Sequence, residues 1–237
     1  MPAEGARAVK SPSTSSSKNQ KDLATIVVIG GQPPNSTVAE SLPAFDFVIA
    51  ADSGLHGAEA LGLAVNVVVG DMDSVDGRAL DEARSRGVIV ERSAQDKDAT
   101  DTELALLYAA ERGAKYIVVV TGGGGRLDHQ LGVLNVLLHP RLVGIKVEMY
   151  WDTAHVQLLH GPGTAVIRGR HGETVGLLPI GADAVGITTD GLAWPLEHET
   201  IPNYSTRGVS NELVGNTASV SLALGHLLIV RPHALEK

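Results

Sequence analysis

Two aspartates, Asp71 and Asp73, end the apolar run VVVGDMDS. Residues i and i+2 of an extended segment point to the same side, so both carboxylates can converge on one point. The sequence has no cysteine and no metal-spaced histidines, and convergent oxygen ligands favour Mg²⁺. Magnesium binds a few carboxylates together with waters and substrate phosphates. The run therefore predicts a magnesium site.

Other acids follow apolar runs in the same way. Asp52 closes the run FVIAAD, and Asp98 and Asp101 lie in DKDATD. A single strand-end aspartate is equally open to an Asx turn or a helix cap, and Asp98 and Thr100 can both serve the start of the next helix. Because aspartates occur at the ends of several predicted strands, one shared functional site is favoured over coincidence.

Four consecutive glycines in TGGGGRLDH form a second candidate element. Glycines let backbone N–H groups approach an anion, and the start of the following helix adds positive potential. Arg126 can grip phosphate with two N–H groups. The segment lacks the Lys-Ser/Thr of a Walker A loop, and Leu127 stands where a Rossmann loop has its third glycine. A flexible loop tip is the alternative, but beside a magnesium site the segment predicts binding of a nucleoside triphosphate.

Short β-branched runs alternate with helical patterns from Ala24 to Asp152. The runs have almost no polar alternation, which is typical of strands covered on both faces. Thr100 and Glu103 form a capping box for one of the helices. This pattern predicts a doubly wound α/β domain with a largely parallel sheet, in which ligands gather at the carboxyl ends of the strands.

The pattern changes after Asp152 to short alternating segments separated by glycine and proline turns. Such segments predict a small antiparallel sandwich or barrel. We expect three parts: a disordered Ser/Lys-rich tail over residues 1–22, an α/β domain that binds magnesium and a nucleoside triphosphate over residues 23–152, and a β-sandwich domain over residues 153–237.

Composition excludes several classes of protein. The 237 residues carry a net charge of −8 without a basic stripe, which argues against phosphate-neutralising binding of nucleic acid. The absence of cysteine excludes disulfides, a thiol nucleophile and cysteine-ligated zinc. No apolar run has the roughly 20 residues of a membrane span. The N-terminus lacks an apolar signal segment, so we expect a cytoplasmic protein.

Six segments occur in the order of one known family: AADSG, GDMDS, DKDATDTELAL, GGGGRLDH, TTDGLAWPL and STRGVSNE. In this ordered set the chain resembles the thiamin pyrophosphokinase (thiamine diphosphokinase) family over about residues 25–232. The resemblance implies an α/β domain, a C-terminal β-sandwich and a homodimer with active sites shared between subunits. It also implies transfer of pyrophosphate from ATP to the hydroxyl of thiamine, giving thiamine diphosphate and AMP.

The resemblance further implies roles for individual positions. The magnesium ligands would be Asp71, Asp73 and Asp101. The ATP site would be lined by Asp52, Asp98, Gly123, Gly124, Gly125, Arg126 and Asp128, with Asp98 or Asp128 as a candidate to orient the thiamine hydroxyl or accept its proton. The thiamine site would take Trp194, Ser210 and Asn211 from the partner subunit. A position in the sandwich core is the alternative for Trp194.

The sequence departs from the family pattern at two places. The second-strand motif, usually Asp-Gly-Gly-Ala-Asn, reads DSGLH here, which leaves the role of position 56 open. Met72 stands where the family usually has an aromatic residue.

Two other functions stay open: pyrophosphorylation of another hydroxymethyl heterocycle such as a pterin, and non-catalytic sensing of a nucleotide or thiamine. Retention of the acids argues against the sensor, and GLAWPL with GVSNE favours thiamine.

Overall fold

The computed structural model describes residues 23–94 and 98–236. The tail predicted for residues 1–22 lies outside the described residues. Strands and helices alternate in the first part of the chain, in this order: β1 (Ala24–Val28), α1 (Val38–Ser41), β2 (Phe45–Ala51), α2 (Gly54–Ala60), β3 (Val67–Gly70), α3 (Gly77–Ser85), β4 (Ile89–Arg92), α4 (Asp101–Glu111), β5 (Tyr116–Thr121), α5 (Leu127–Val136), a 3₁₀ turn (Pro140–Leu142) and β6 (Lys146–Trp151).

The remaining elements are all strands, joined by turns. They are β7 (Ala154–His160), β8 (Gly163–Arg168), β9 (Thr174–Pro179), β10 (Ala184–Asp190), β11 (Glu199–Ile201), β12 (Asn211–Glu212), β13 (Thr217–Leu222) and β14 (His226–Arg231). None of the helices in the described part of the chain has the length and apolarity needed to cross a membrane.

The first six strands form a parallel sheet in the order β6-β5-β1-β2-β3-β4. Strand β1 pairs with β2 on one side and with β5 on the other, so the direction of winding reverses between β1 and β5. In an open α/β sheet, ligands bind outside the carboxyl ends of the strands at such a switch point. The loops after β1 and β5 are therefore placed where a ligand is expected.

The large sheet continues beyond β6 with antiparallel strands. Strand β7 pairs with β6, and β14, β9 and β12 follow, which gives ten strands in one sheet. Strands β11, β10, β13 and β8 form a second, four-stranded sheet. The predicted fold class, an α/β part with a largely parallel sheet followed by an antiparallel β part, is confirmed. The domain boundary predicted at residue 152 falls in the turn between β6 and β7, within the continuous sheet.

Apolar packing on both faces explains the unbroken apolar runs. Val27 and Val119 pack towards helix α4, whereas Val28 and Val118 pack on the opposite face of the sheet. A separate core, built around Ile167 and other apolar residues of both sheets, fills the sandwich. Burial of these side chains gives the carboxyl ends of the parallel strands a rigid base, because interiors of this kind are closely packed.

Candidate functional site

Three carboxylates meet at the carboxyl ends of two neighbouring strands. Asp52 follows β2, and Asp71 and Asp73 follow β3; their ligand oxygens lie within 4.8 Å of one another. Asp71 and Asp73 converge as the sequence predicts, and Asp52 joins them. Carboxylate oxygens at this spacing suit a hard divalent cation.

Local backbone conformation turns these carboxylates to one side. Asp52 and Met72 both have positive φ, 47° and 68°, so the chain bends sharply after each strand. The Asp52 N–H donates to the Val69 carbonyl at 2.9 Å, and the Asp73 N–H donates to Oδ1 of Asp71 at 3.0 Å. Met72 is buried in an apolar cluster and anchors the turn between the two acids.

Asp52 is the most buried of the three acids. It is 7% exposed, and its Oδ1 has no hydrogen-bond partner within the described residues. Burial raises the pKa of the Asp52 carboxyl, and the negative charges of Asp101 and Asp73 raise it further. A buried carboxylate oxygen without a donor is costly unless a cation or proton compensates it. The donor set therefore fits a metal ion.

Asp101 lies beside the cluster. It is the first residue of α4, whose N-terminus is capped by the Thr100 side chain, as expected from the sequence. A Cβ added to Gly70 would lie 2.9 Å from Asp101 Oδ1 and 3.1 Å from the Asp52 Cβ, so only glycine leaves room for both acids. Asp98 is exposed and lies in the segment that leads to Thr100.

Residues 122–125, the glycine loop, connect β5 to α5 at the switch point. Gly123, Gly124 and Gly125 have φ of 67°, 72° and 74°. Three successive left-handed residues are favourable only for glycine. The loop leads into a helix whose N-cap residue, Arg126, makes no capping bond with its side chain. The N–H groups at the start of α5 suit an anion.

Arg126 pairs with Asp128 across the first turn of α5. Nε and Nη2 of the guanidinium lie 3.1 and 2.6 Å from Oδ1 and Oδ2 of the carboxylate. Hydrogen bonding from Arg126 lowers the pKa of Asp128 to about 2. Both side chains are mostly exposed. Because exposed ion pairs contribute little stability, the guanidinium can exchange Asp128 for a phosphate at low cost.

A second site lies on the sandwich. Trp194, Arg207, Val209, Ser210 and Asn211 line a cavity of about 270 Å³. Trp194 is 58% exposed, so its ring is not part of the sandwich core. Asn211, by contrast, is buried. The structure thus brings together the three residues that the resemblance assigns to thiamine.

The acids and the glycine loop share one edge of the sheet, where a metal ion and a polyphosphate would lie together. Two family models match the chain: the catalytic domain of thiamin pyrophosphokinase over residues 38–149, and its vitamin B1 binding domain over residues 164–227. The chain belongs to the thiamin pyrophosphokinase family.

Comparison of the chain with individual proteins agrees with the match to the family models. A Bacillus subtilis thiamine pyrophosphokinase is 27% identical over 180 residues, which cover 76% of this chain and 80% of that protein. A rice thiamine pyrophosphokinase is 27% identical over 165 residues, 66% of this chain but only 62% of the relative's own length. A crystal structure of thiamine pyrophosphokinase from Bacillus subtilis superposes with a TM-score of 0.76 at 25% identity, covering 88% of this chain and 98% of that one.

Sequence reasoning missed four residues that adjoin these sites. Gln32, Thr121 and Trp151 contact the glycine loop, and Arg207 lines the sandwich cavity. Thr121 directly precedes the glycines, and Gln32 follows the Gly-Gly pair that ends the first apolar run, so position alone could have drawn attention to both. Trp151 reads as an ordinary strand end, and no sequence signal distinguishes it.

Proposed function

We propose that this protein is a thiamine diphosphokinase, which transfers a pyrophosphoryl group from ATP to the hydroxyl of thiamine and releases AMP. The observation that carries the proposal is the juxtaposition of the carboxylate cluster with the glycine loop at one edge of the sheet. The first element suits a divalent cation and the second a polyphosphate. The family's vitamin B1 binding domain supports thiamine as the acceptor.

Asp52, Asp71 and Asp73 would hold Mg²⁺, with Asp101 beside them. The partnerless Oδ1 of Asp52 supports this assignment. When bound, the ion would neutralise charge on the phosphate oxygens of ATP. The resemblance gives Asp101 the third ligand position, whereas the carboxylates that lie within 4.8 Å of one another include Asp52 instead. The negative charge of Asp101 also raises the pKa of the Asp52 carboxyl, a repulsion that a bound cation would relieve.

The protein's own groups orient the donor. Amides of Gly124 and Gly125 would bind phosphate oxygens, and Arg126 would leave Asp128 to stabilise charge on the transferred group. The thiamine hydroxyl oxygen attacks the β-phosphorus, the bond from that phosphorus to the α–β bridging oxygen breaks, and AMP departs with the electron pair. The hydroxyl proton is lost during the attack. It would pass to Asp98 or to Asp128, because the pKa of Asp128 is held low by its pairing with Arg126 and rises once Arg126 moves to the phosphate.

The sandwich cavity would bind thiamine. The exposed ring of Trp194 offers a flat surface for the aminopyrimidine or a face for the cationic thiazolium. Ser210 and Asn211 form the adjoining wall. Ser210 has φ of 65°, so the chain turns sharply within this wall of the cavity.

A homodimer with shared active sites completes the proposal. Helix α5 has no buried residue among its ten, and its side chains Leu127 and Leu131 are 68% and 53% exposed. These leucines lie four residues apart and so share one face of the helix, next to Arg126. A second copy of the chain would cover this face and bring its Trp194 cavity to the acids. Use of ATP as the donor favours the cytoplasm as the compartment.

The test is an assay for AMP release with a panel of acceptors. Purified protein, ATP and Mg²⁺ should yield AMP and thiamine diphosphate with thiamine, but not with a hydroxymethyl pterin. If AMP forms with the pterin but not with thiamine, the acceptor is the pterin and the assignment of thiamine is refuted. Binding of ATP and thiamine without turnover would identify a sensor and refute catalysis.

A further inference from the structure

Three groups contact the glycine loop from the side of the sheet, and one of them is the hydroxyl of Thr121. This residue ends β5 and is 2% exposed. Its Oγ1 accepts the N–H of Gly123 at 3.0 Å and donates to the carbonyl of Gly30 at 3.1 Å. One buried hydroxyl therefore joins the glycine loop to the loop after β1. These are the two loops that flank the switch point.

Gln32, in the loop after β1, contacts the glycine loop through both its main chain and its side chain. Its N–H donates to the Gly123 carbonyl at 2.7 Å, and its carbonyl accepts the Gly122 N–H at 3.2 Å. A Cβ on Gly124 would lie 2.8 Å from Cγ and Cδ of the Gln32 side chain, so that side chain lies against the glycine. The main-chain bonds extend the β1–β5 pairing beyond the ends of the strands.

The third group is the indole of Trp151, the last residue of β6. A Cβ on Gly123 would overlap Nε1 of this ring. The rest of the side chain packs against the apolar core that lies between the large sheet and α4. The ring thus contacts the glycine loop from the core. Strand β5 lies between β6 and β1, so Trp151 and Gln32 flank the loop on opposite sides.

We propose that Thr121, Gln32 and Trp151 form a clamp that fixes the left-handed conformation of the glycine loop before nucleotide binds. The inference rests on the proposed function, and the three are positioning residues for the pyrophosphate donor. Glycines lose more conformational freedom on ordering than any other residue, so a loop ordered in advance binds its ligand at lower entropic cost. The clamp occupies the amides of Gly122 and Gly123. The amides of Gly124 and Gly125 have no protein partner in the described part of the chain, and so stay available for phosphate oxygens.

Thr121→Val and Thr121→Ser form the matched pair that tests the clamp. Valine keeps the shape but leaves the Gly123 N–H and the Gly30 carbonyl without their partner, whereas serine keeps the hydroxyl. Losing a partner of buried polar groups predicts about a tenfold rise in KM for ATP and in Kd for a non-hydrolysable MgATP analogue measured by calorimetry. The KM for thiamine and kcat should stay within about twofold, and serine should restore the wild-type values.

Amide hydrogen exchange without nucleotide gives a readout independent of activity. The Gly123 amide should exchange faster in Thr121→Val than in wild type, while amides of β13 stay unchanged. Gln32→Ala, at an exposed position, keeps the main-chain bonds and serves as a second variant that should fold normally; it should raise the analogue Kd about threefold.

Unchanged exchange of the Gly123 amide in Thr121→Val would overturn the clamp. Faster exchange with an unaltered analogue Kd would refute its role in positioning the donor. Failure of the wild-type protein to bind the analogue would instead refute the proposed function, and the exchange rates would still decide whether the clamp holds the loop.

Discussion

The side-chain amide of Asn211 holds both main-chain polar groups of Trp194. Its Oδ1 accepts the Trp194 N–H at 3.1 Å, and its Nδ2 donates to the Trp194 carbonyl at 2.8 Å. The same Oδ1 accepts the N–H of Glu212 at 2.8 Å. Asn211 is buried and these bonds engage both ends of its amide, so it fixes the main chain that carries the exposed indole of Trp194.

Asn211→Asp should therefore impair thiamine binding without loss of the fold. A carboxylate can still accept the Trp194 and Glu212 N–H groups, but it cannot donate, and it faces the Trp194 carbonyl with a negative charge. We expect the KM for thiamine to rise about tenfold while the KM for ATP stays nearly constant, since the loss corresponds to one buried hydrogen bond. Steady-state kinetics with each substrate varied in turn makes the measurement, and the exposed Glu212→Gln is the control. An equal rise in both KM values would contradict this role.

The convergence of Asp71 and Asp73 could be predicted from sequence because a βα repeat fixes where each strand ends. Asp71 and Asp73 were expected to converge, and the turn at Met72 brings them together with Asp52. The strand ends of a parallel sheet face one edge whatever the details of packing. The helix cap at Thr100 was predicted for a similar reason, because it depends on residues within one turn of each other.

Contacts between distant segments were beyond the reach of sequence patterns. The carboxylates within 4.8 Å of one another include Asp52, whose positive φ is not predicted by its residue type. The continuation of the sheet from β6 into β7 depends on strand pairing, which residue types do not specify. The contact of Trp151 with Gly123 arises from the order β6-β5-β1, not from any local signal.

Removal of one carboxylate charge from the cluster should abolish turnover but not folding. Asp71→Asn and Asp73→Asn each keep a side chain of similar size, and both positions are more exposed than Asp52. With an anionic ligand lost, we expect kcat/KM at low Mg²⁺ to fall by at least about a hundredfold. Asp81→Asn, which changes an exposed acid on α3 in an ion pair with Arg84, is the charge-matched control. Near-normal activity of both variants at limiting Mg²⁺ would refute the metal assignment.

A buried network around Glu148 makes stability depend on pH. Burial alone would raise the pKa of Glu148, but hydrogen bonds from His155, Lys146 and Tyr116 outweigh it and hold the pKa well below its usual range. The Tyr116 hydroxyl donates to Glu148 Oε2 at 2.6 Å, and the Lys146 ammonium lies 2.8 Å from Oε1. Because folding lowers this carboxyl's pKa, its contribution to stability is present above the unfolded value of about 4.5 and is lost as pH falls below it.

Glu148→Gln should accordingly destabilise the protein at pH 7 and matter progressively less in acid. The difference in the free energy of unfolding between wild type and variant should be constant above about pH 5.5 and shrink below about pH 4.5. Chemical denaturation across this range makes the measurement. Tyr116→Phe, which removes one donor and leaves the carboxylate, should cost about 1–2 kcal/mol at pH 7. A difference that grows on acidification would contradict the assigned direction of the pKa shift.

Two impaired variants should restore each other's activity if subunits share active sites as proposed. Asp71→Asn disables the acid cluster, while Trp194→Ala removes a stacking surface worth about 1–3 kcal/mol, by analogy with base–aromatic stacking. When a site takes its acids from one subunit and its tryptophan from the other, a mixed dimer contains one doubly defective site and one intact site. Random mixing makes half of the dimers mixed, so activity at low thiamine should return to about one quarter of wild type. Subunit exchange would be verified by mass spectrometry of differently tagged chains. Exchange without recovered activity would place the acids and Trp194 of each site in a single chain.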